Sequence, residues 1–393
     1  MTAPTKSWLP RVVSLLWIRP RLAKPSVQVQ TELMPTATTP DAGSPQHNRS
    51  SDQGAILDRR QFLKSASLVA AALPFAAAAN EEAVGAEPLT SGKPKVGCLS
   101  WCFHDFSPGV DPEPAIDIIG GLGFDGIEMI VTASGDLAGF WTDDRVSRMK
   151  RKLEKNKLQV SQFVLFQPVV EGLSSTRKDE RDQALDHFES GCRIGSKLDA
   201  RLINIVAPWA RELKGPSDYL PRYYEVENPK PGEKFHIDIA EGFDWERVWN
   251  GYIETTKACL ARAKAHGLKF SIEQHTHTMV PDASSFLRLW DRIKDPALGY
   301  NLDAGWTQLQ REYPPLAVHK VRGHLVNLHM RDIDGLMRSF PHIGQGVMDF
   351  EGIVRALKAT GFNGYASIEQ DKHPGDMVAT CKRYLQMMRE YVG

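Results

Sequence analysis

Four short segments late in the chain share one pattern. Ser271-Ile272-Glu273, Asn301-Leu302-Asp303, Asn327-Leu328-His329 and Ser367-Ile368-Glu369 each run from a small polar residue through an aliphatic one to a side chain that can ligate a metal. On an extended chain, successive side chains face opposite ways. Ile272, Leu302, Leu328 and Ile368 then share one face, and the polar residues and terminal groups share the other. Three carboxylates and an imidazole turned toward a protein interior repel one another and resist ionisation unless a cation sits among them. Taken singly, each reads as a helix cap or an ion-pair partner. Four in the same place on four successive segments read as a site for a divalent metal ion. An oxygen-rich set with one nitrogen suits Mn, Mg, Co or Zn, and lacks the sulfur that would single out zinc.

Such segments need a scaffold to hold them. From Lys95 onward, β-rich runs at 96–101, 126–131, 160–166, 202–207, 269–275, 298–303, 325–330 and 365–369 alternate with helical spacing, as in 245–266, 350–360 and 374–391. Gly-Phe-Asp-Gly at 123–126 and Gly-Phe-Asn-Gly at 361–364 are matching helix-to-strand turns. Eight strand–helix units predict an α/β fold: a single-domain (β/α)8 TIM barrel over 87–393, with its active site at the C-terminal ends of the strands. An open doubly wound sheet is the alternative. No Gly-x-Gly-x-x-Gly follows the first strand, so a dinucleotide fold has little support. The stretch 208–244, with Trp209, Arg211, Tyr219, Tyr223 and Tyr224, is too long for a plain loop and reads either as a lid or as an insertion packed on the barrel rim.

The quartet, with Gly123-Phe124-Asp125-Gly126-Ile127-Glu128, His329-Met330-Arg331-Asp332 and the glycine-containing turn from Ile343 to Phe350, resembles the xylose isomerase-like TIM-barrel superfamily of sugar phosphate isomerases and epimerases. The resemblance covers most of 95–391. It implies a metal-dependent enzyme that removes a proton next to the carbonyl of a sugar or polyol ketone. Glu273 and Glu369 would be both metal ligands and the acid/base pair, and Asp303 and His329 pure ligands. Ser271, Asn301, Asn327 and Ser367 would support them from within the barrel. Where several epimerases carry a substrate-binding His three residues after the strand-six Asp, this chain has Trp306, which offers stacking instead.

Trp101, His104, Glu128, His275, His277 and Arg331 are further candidates for substrate contact. Most have a plainer reading: core packing for Trp101, a rim position for His275 and His277, pairing with a nearby base for Glu128, and an ion pair near Asp332 for Arg331. Dehydratases and lyases share the scaffold and the first chemical step. A DNA-repair endonuclease reading needs more histidines at strand ends than this chain supplies. A sugar-binding barrel without turnover is the non-enzymatic alternative.

The N-terminal part reads differently. Residues 1–58 are rich in Pro, Ser and Thr and lack periodicity, which marks a disordered extension or a start codon placed too early, with Met34 as a candidate start. Arg59-Arg60-Gln61-Phe62-Leu63-Lys64 and the Ala-rich stretch after it make a twin-arginine signal peptide over 59–86, with cleavage after Ala79 or near Ala86. That predicts the twin-arginine export machinery as a partner and a periplasmic or extracellular product. Lys+Arg and Asp+Glu both number 48, with no dense basic block, which argues against nucleic-acid binding. No apolar run reaches the ~20 residues of a membrane span. Cys98, Cys102, Cys192, Cys259 and Cys381 are scattered and odd in number, and read as buried thiols rather than a disulfide framework. Homo-oligomer formation stays open.

Overall fold

The computed structural model describes residues 93–213, 239–335, 340–370 and 375–393. The expectations for 1–58 and 59–86, and most of the 208–244 insertion with its three tyrosines, lie outside the described residues.

The strands are β1 (Lys95–Leu99), β2 (Gly126–Val131), β3 (Gln159–Leu165), β4 (Leu202–Val206), β5 (Lys269–Glu273), β6 (Leu298–Asp303), β7 (Leu325–Met330) and β8 (Tyr365–Ile368). Each pairs in parallel with the next, and β8 pairs with β1, so the sheet closes into a barrel. This is the TIM-barrel architecture expected from the alternating pattern. Ile127, Ile203, Ile272, Leu302, Leu328 and Ile368 are fully buried between the sheet and its helices.

Aspartates start several of the helices. Asp244, Asp282, Asp349 and Asp376 each accept a hydrogen bond from a backbone N–H in the first turn of the helix that follows, which satisfies amides a helix leaves open. Gly123 and Gly361 begin the two matching turns with φ of 86° and 69°, a left-handed conformation that favours glycine.

Several strands end earlier than their sequence pattern suggests. β1 stops at Leu99, and Ser100–Cys102 forms a tight 3-10 turn that carries Trp101 over the barrel mouth. β5 stops at Glu273, because the Thr278 hydroxyl and amide both donate to the carbonyl of His275 and close a turn there. β8 stops at Ile368, although the Glu369 amide still donates to the Met330 carbonyl of β7 at 3.1 Å. A hydrogen-bonded turn closes directly after β1 and shortly after β5 and ends the ladder there.

The barrel interior is polar across most of its strands. Glu128, Gln162, Asn204, Ser271, Asn301, Asn327 and Ser367 are all fully buried. Asn204 Nδ2 donates to Ser271 Oγ (3.0 Å), Ser271 Oγ to Gln162 Oε1 (2.7 Å), and Gln162 Nε2 to Glu128 Oε2 (2.8 Å). Asn327 Nδ2 then bridges Glu128 Oε1 (2.9 Å) and Asn301 Oδ1 (3.0 Å). Barrels of this kind are normally filled with branched apolar side chains. A linked polar floor instead sets the rotamers of the groups above it.

Candidate active site

Glu273, Asp303, His329 and Glu369 come together at the C-terminal ends of β5 to β8. Each offers a ligand atom, and these atoms all lie within 4.8 Å of one another. Strand register does much of this work: Asp303 is the direct partner of His329, and His329 of Ser367, two residues before Glu369.

Each side chain is aimed by a second bond. Asp303 uses Oδ1 to accept the Trp306 amide at 2.8 Å, capping the helix Ala304–Leu309, and leaves Oδ2 for the site. It is thus a helix cap and a site residue at once. His329 turns Nε2 toward Glu128 Oε2 (2.9 Å) and Nδ1 toward Glu369 Oε2 (3.0 Å) and Glu273 Oε1 (3.5 Å). An Nε2–H donated to Glu128 leaves the Nδ1 lone pair for a metal. Glu273 Oε2 accepts from Asn301 Nδ2 at 3.0 Å. Glu369 Oε1 accepts from Trp101 Nε1 at 3.2 Å and pairs with the Arg331 guanidinium.

The residues fit a divalent cation. Asp303 Oδ2, His329 Nδ1 and Glu369 Oε2 are buried and make no hydrogen bond, a cost normally avoided. The buried carboxylates of Glu128, Glu273, Asp303 and Glu369 stand against one imidazole and one guanidinium. Burial pushes the carboxyls of Glu273 and Asp303 above their ordinary range, opposed by His329 and Arg331 respectively. Burial also opposes charge on His329, but Glu128, Glu273 and Glu369 outweigh it and raise its pKa well above the usual value. Burial works against ionised Glu369 too; there Arg331 and then His329 prevail and hold the carboxyl low. Burial and the neighbouring charges thus pull these groups in opposite directions, a conflict that a cation among them would relieve.

Above the cluster opens a cavity of about 440 Å³. Trp101, Phe106 and Phe166 line one part of it, in a chain of rings with centroids 6.1 and 5.3 Å apart. Trp306 and Phe340 line another, edge to face at 5.0 Å. Glu273, Glu369, His104, His275 and Arg331 supply polar atoms. This mixture of flat apolar faces and a few convergent polar groups suits a small polyhydroxylated molecule.

The substrate-side candidates divide. Trp101, His104, His275, Trp306 and Arg331 line the cavity. His104 is half-buried, with Nε2 3.0 Å from Ser100 Oγ, and the His275 ring packs on Trp306 with centroids 3.9 Å apart. His277 is exposed, with φ of 64°, and is not part of the lining. Glu128 does not reach the cavity: it is fully buried beneath it, where Gln162, Asn327 and His329 surround its carboxylate. Its partner is a base across the barrel, not substrate. The carboxylates that Arg331 meets among the described residues lie on neighbouring strands. Arg331 lies 3.3 Å from Asp303 Oδ2, contacts Glu369, and sits 4.3 Å over the Phe340 ring. Asp332 is occupied by the amides of Ile333, Gly344, Gly346 and Met348 at 2.8–3.1 Å, which shapes the turn after β7.

Two positioning pairs were not evident beforehand. Gln274 holds Asp303 through its backbone N–H (3.1 Å) and C=O (2.7 Å), and Gln370 donates to the Phe340 carbonyl at 3.0 Å. The signal was there: Ser-Ile-Glu-Gln occurs at both 271–274 and 367–370. Gln162 and Asn204 were also missed; Asn204 is an amide inside an otherwise apolar strand, and Gln162 follows Ser161 in a strand of mixed character.

No curated protein matches the chain by sequence. Among solved structures, D-psicose 3-epimerase from Clostridium cellulolyticum H10, with D-tagatose, is similar at 17% identity and a TM-score of 0.60, over 76% of this chain and 99% of that one. A 3-keto-D-glucoside 4-epimerase from E. coli is similar at 15% identity and a TM-score of 0.56, over 76% and 100% of the two chains. A probable 3-DHS dehydratase involved in petrobactin synthesis, from Bacillus anthracis, is similar at 14% identity and a TM-score of 0.56, over 75% and 98%. At these identities the likeness speaks for the fold. The family described as xylose isomerase-like TIM barrel matches residues 116–391, which takes in every strand from β2 to β8 and all four clustered side chains, and the chain belongs to that family.

Proposed function

We propose that the chain is a metal-dependent epimerase or isomerase of a keto-sugar or polyol ketone, working by proton transfer at the carbon next to the carbonyl. The observation that carries this is the convergence of Glu273, Asp303, His329 and Glu369 beneath an aromatic-walled cavity.

These four residues would hold the ion. A divalent cation there would act as a Lewis acid on the substrate carbonyl and lower the acidity barrier at the adjacent carbon. Glu273 and Glu369 project from β5 and from the end of β8, flanking the strands that carry Asp303 and His329, and both line the cavity. One carboxylate takes the proton from carbon; the other, protonated beforehand, returns one from the opposite side, which inverts the centre. Asp303 and His329 stay out of proton transfer. Trp101 and Arg331 hold Glu369 in place through Oε1. The ring faces of Trp101 and Trp306 exclude water and receive the apolar face of a sugar.

Support for a sugar comes from the cavity and from the epimerases among the similar structures. Arg331 is the cation in the cavity lining, and two carboxylates already engage it. Together with export through the twin-arginine segment, which is part of this proposal, that favours a free sugar over a sugar phosphate. Preferential turnover of sugar phosphates would count against it. A dehydratase or lyase starts with the same proton removal, and product analysis separates the two.

The test is metal content and proton exchange on the same preparation. We expect about one divalent ion per chain, lost in the double variant Asp303→Asn/His329→Ala, and metal-dependent uptake of deuterium from heavy water by a keto-sugar. A chain that binds no ion after reconstitution would overturn the reading.

A further inference from the structure

The opposite end of the barrel carries a second concavity. A cavity of about 250 Å³ opens among the N-terminal ends of the strands, lined by Arg201, Lys269, Arg322, Asn363 and Tyr365. Arg201 immediately precedes β4, Lys269 begins β5, and Tyr365 begins β8. Strands of four to six residues separate this pole from the metal cluster by roughly 13–20 Å, and the two cavities share no lining residue.

Charge is distributed unevenly here. Several lysines elsewhere on the barrel are paired with a carboxylate: Lys150 with Asp199 (2.6 Å), Lys152 with Asp117 (2.9 Å), Lys264 with Asp295 (2.8 Å) and Lys320 with Glu312 (2.6 Å). Arg201, Lys269 and Arg322 have no carboxylate partner among the described residues. In a chain with equal numbers of acidic and basic residues, gathering three cations that lack a carboxylate partner around one hollow costs repulsion that a bound anion would relieve.

Tyr365 forms a rigid part of this wall. A Cβ on Gly126 would strike its ring, so the glycine lets the ring lie across the start of β2. Lys95 sits 5.4 Å and Arg201 5.9 Å from the ring centroid. Burial pushes the phenol up, with Arg201 opposing, so the hydroxyl keeps its proton at neutral pH and can donate to an anion.

We propose that this pole is a binding site for a small multivalent oxyanion, of the phosphate type, held by Arg201, Lys269 and Arg322. Two guanidiniums can each engage two oxygens, and the lysine supplies a point charge. An open hollow of about 250 Å³ has room for a compact ion; a polymer would need an extended basic stripe. The site is independent of the reading at the other end of the barrel, and either can fail alone.

The experiment titrates inorganic phosphate into the full chain at constant ionic strength set with chloride, followed by calorimetry and thermal melting. We expect saturable binding and a rise in melting temperature for the wild type. Arg201→Ala/Arg322→Ala should weaken binding at least ~10-fold with an unchanged far-UV spectrum, since both side chains are exposed. Lys269→Ala should weaken it less, and Lys178→Ala, far from the pole, should match the wild type. A wild type that responds equally to phosphate and chloride, or a double variant that keeps the wild-type response, would overturn the proposal.

Discussion

His329 Nε2 lies 2.9 Å from Glu128 Oε2, and neither side chain has any exposure to solvent. The two come from β7 and β2, on different sides of the barrel. The bond fixes which imidazole nitrogen carries hydrogen and turns Nδ1 toward Glu273 and Glu369. Glu128→Gln keeps the shape and can still accept a hydrogen bond, but removes the charge that makes the imidazole a stronger ligand. Outer partners of metal-bound histidines are typically worth ~10–100-fold in affinity. We expect a loss in that range, measured by competition with a chromogenic chelator, with little change in melting temperature of the metal-free protein. Unchanged affinity would remove Glu128 from the metal site.

The acid/base assignment separates from metal binding through conservative changes. Glu273→Gln and Glu369→Gln each retain an oxygen ligand and lose the proton acceptor. Deuterium incorporation into a keto-sugar should fall ~10²–10⁴-fold in each, with bound metal still detectable. The two variants should also differ. Glu369 has Trp101 and Arg331 on Oε1, so its neutral amide leaves Arg331 with Asp303 as its remaining carboxylate and should disturb the cavity more. Near wild-type exchange in both, with metal present, would rule out the proton-transfer role.

Removal of the ion should loosen the C-terminal end of the barrel. Any ligand that binds only the folded state stabilises it, by ~2.7 kcal/mol at a hundredfold excess over its dissociation constant. Chelation should therefore lower the melting temperature, and Mn, Mg, Co or Zn should restore it in order of affinity. In Asp303→Asn/His329→Ala the melting temperature should no longer respond to chelator. A response that persists would place the ion elsewhere.

How much of this could be read beforehand depended on whether the relevant pattern was local. The quartet was legible because strand alternation alone puts Glu273, Asp303, His329 and Glu369 on the inner face, and parallel pairing then brings successive strand ends level. The inward direction of Arg331 followed from the same parity. Its partners did not, because Asp303 and Glu369 reach it from neighbouring strands. Glu128 was visible as an inward carboxylate, but its partner lies 201 positions away in sequence. Asn204 gave only a single polar residue within an apolar strand, and Gln162 one polar residue among three in its strand; neither pattern carries information on what the amide bonds. Strand ends were over-extended where loop hydrogen bonds, such as Thr278 to His275, close a turn that the extended pattern does not show.

Asp332 provides a test of the scaffold beside the site. Its two oxygens accept four backbone amides, from Ile333, Gly344, Gly346 and Met348, and the carboxylate is almost wholly buried. The turn leaves no space for a different arrangement, because a Cβ on Gly346 would collide with the same carboxylate. Asp332→Ala strands the buried amides of Ile333 and Met348, each costing ~1–3 kcal/mol when left unsatisfied, whereas water can reach the amide of exposed Gly344. Asp332→Asn retains one acceptor oxygen and should cost less. We expect a clear drop in denaturation midpoint for the alanine variant, about half of it recovered by asparagine. Because Arg331 adjoins this residue and bears on both Asp303 and Glu369, metal affinity should fall in the same order. Equal stability of the two variants would mean that the carboxylate fills space in the turn rather than organising its amides.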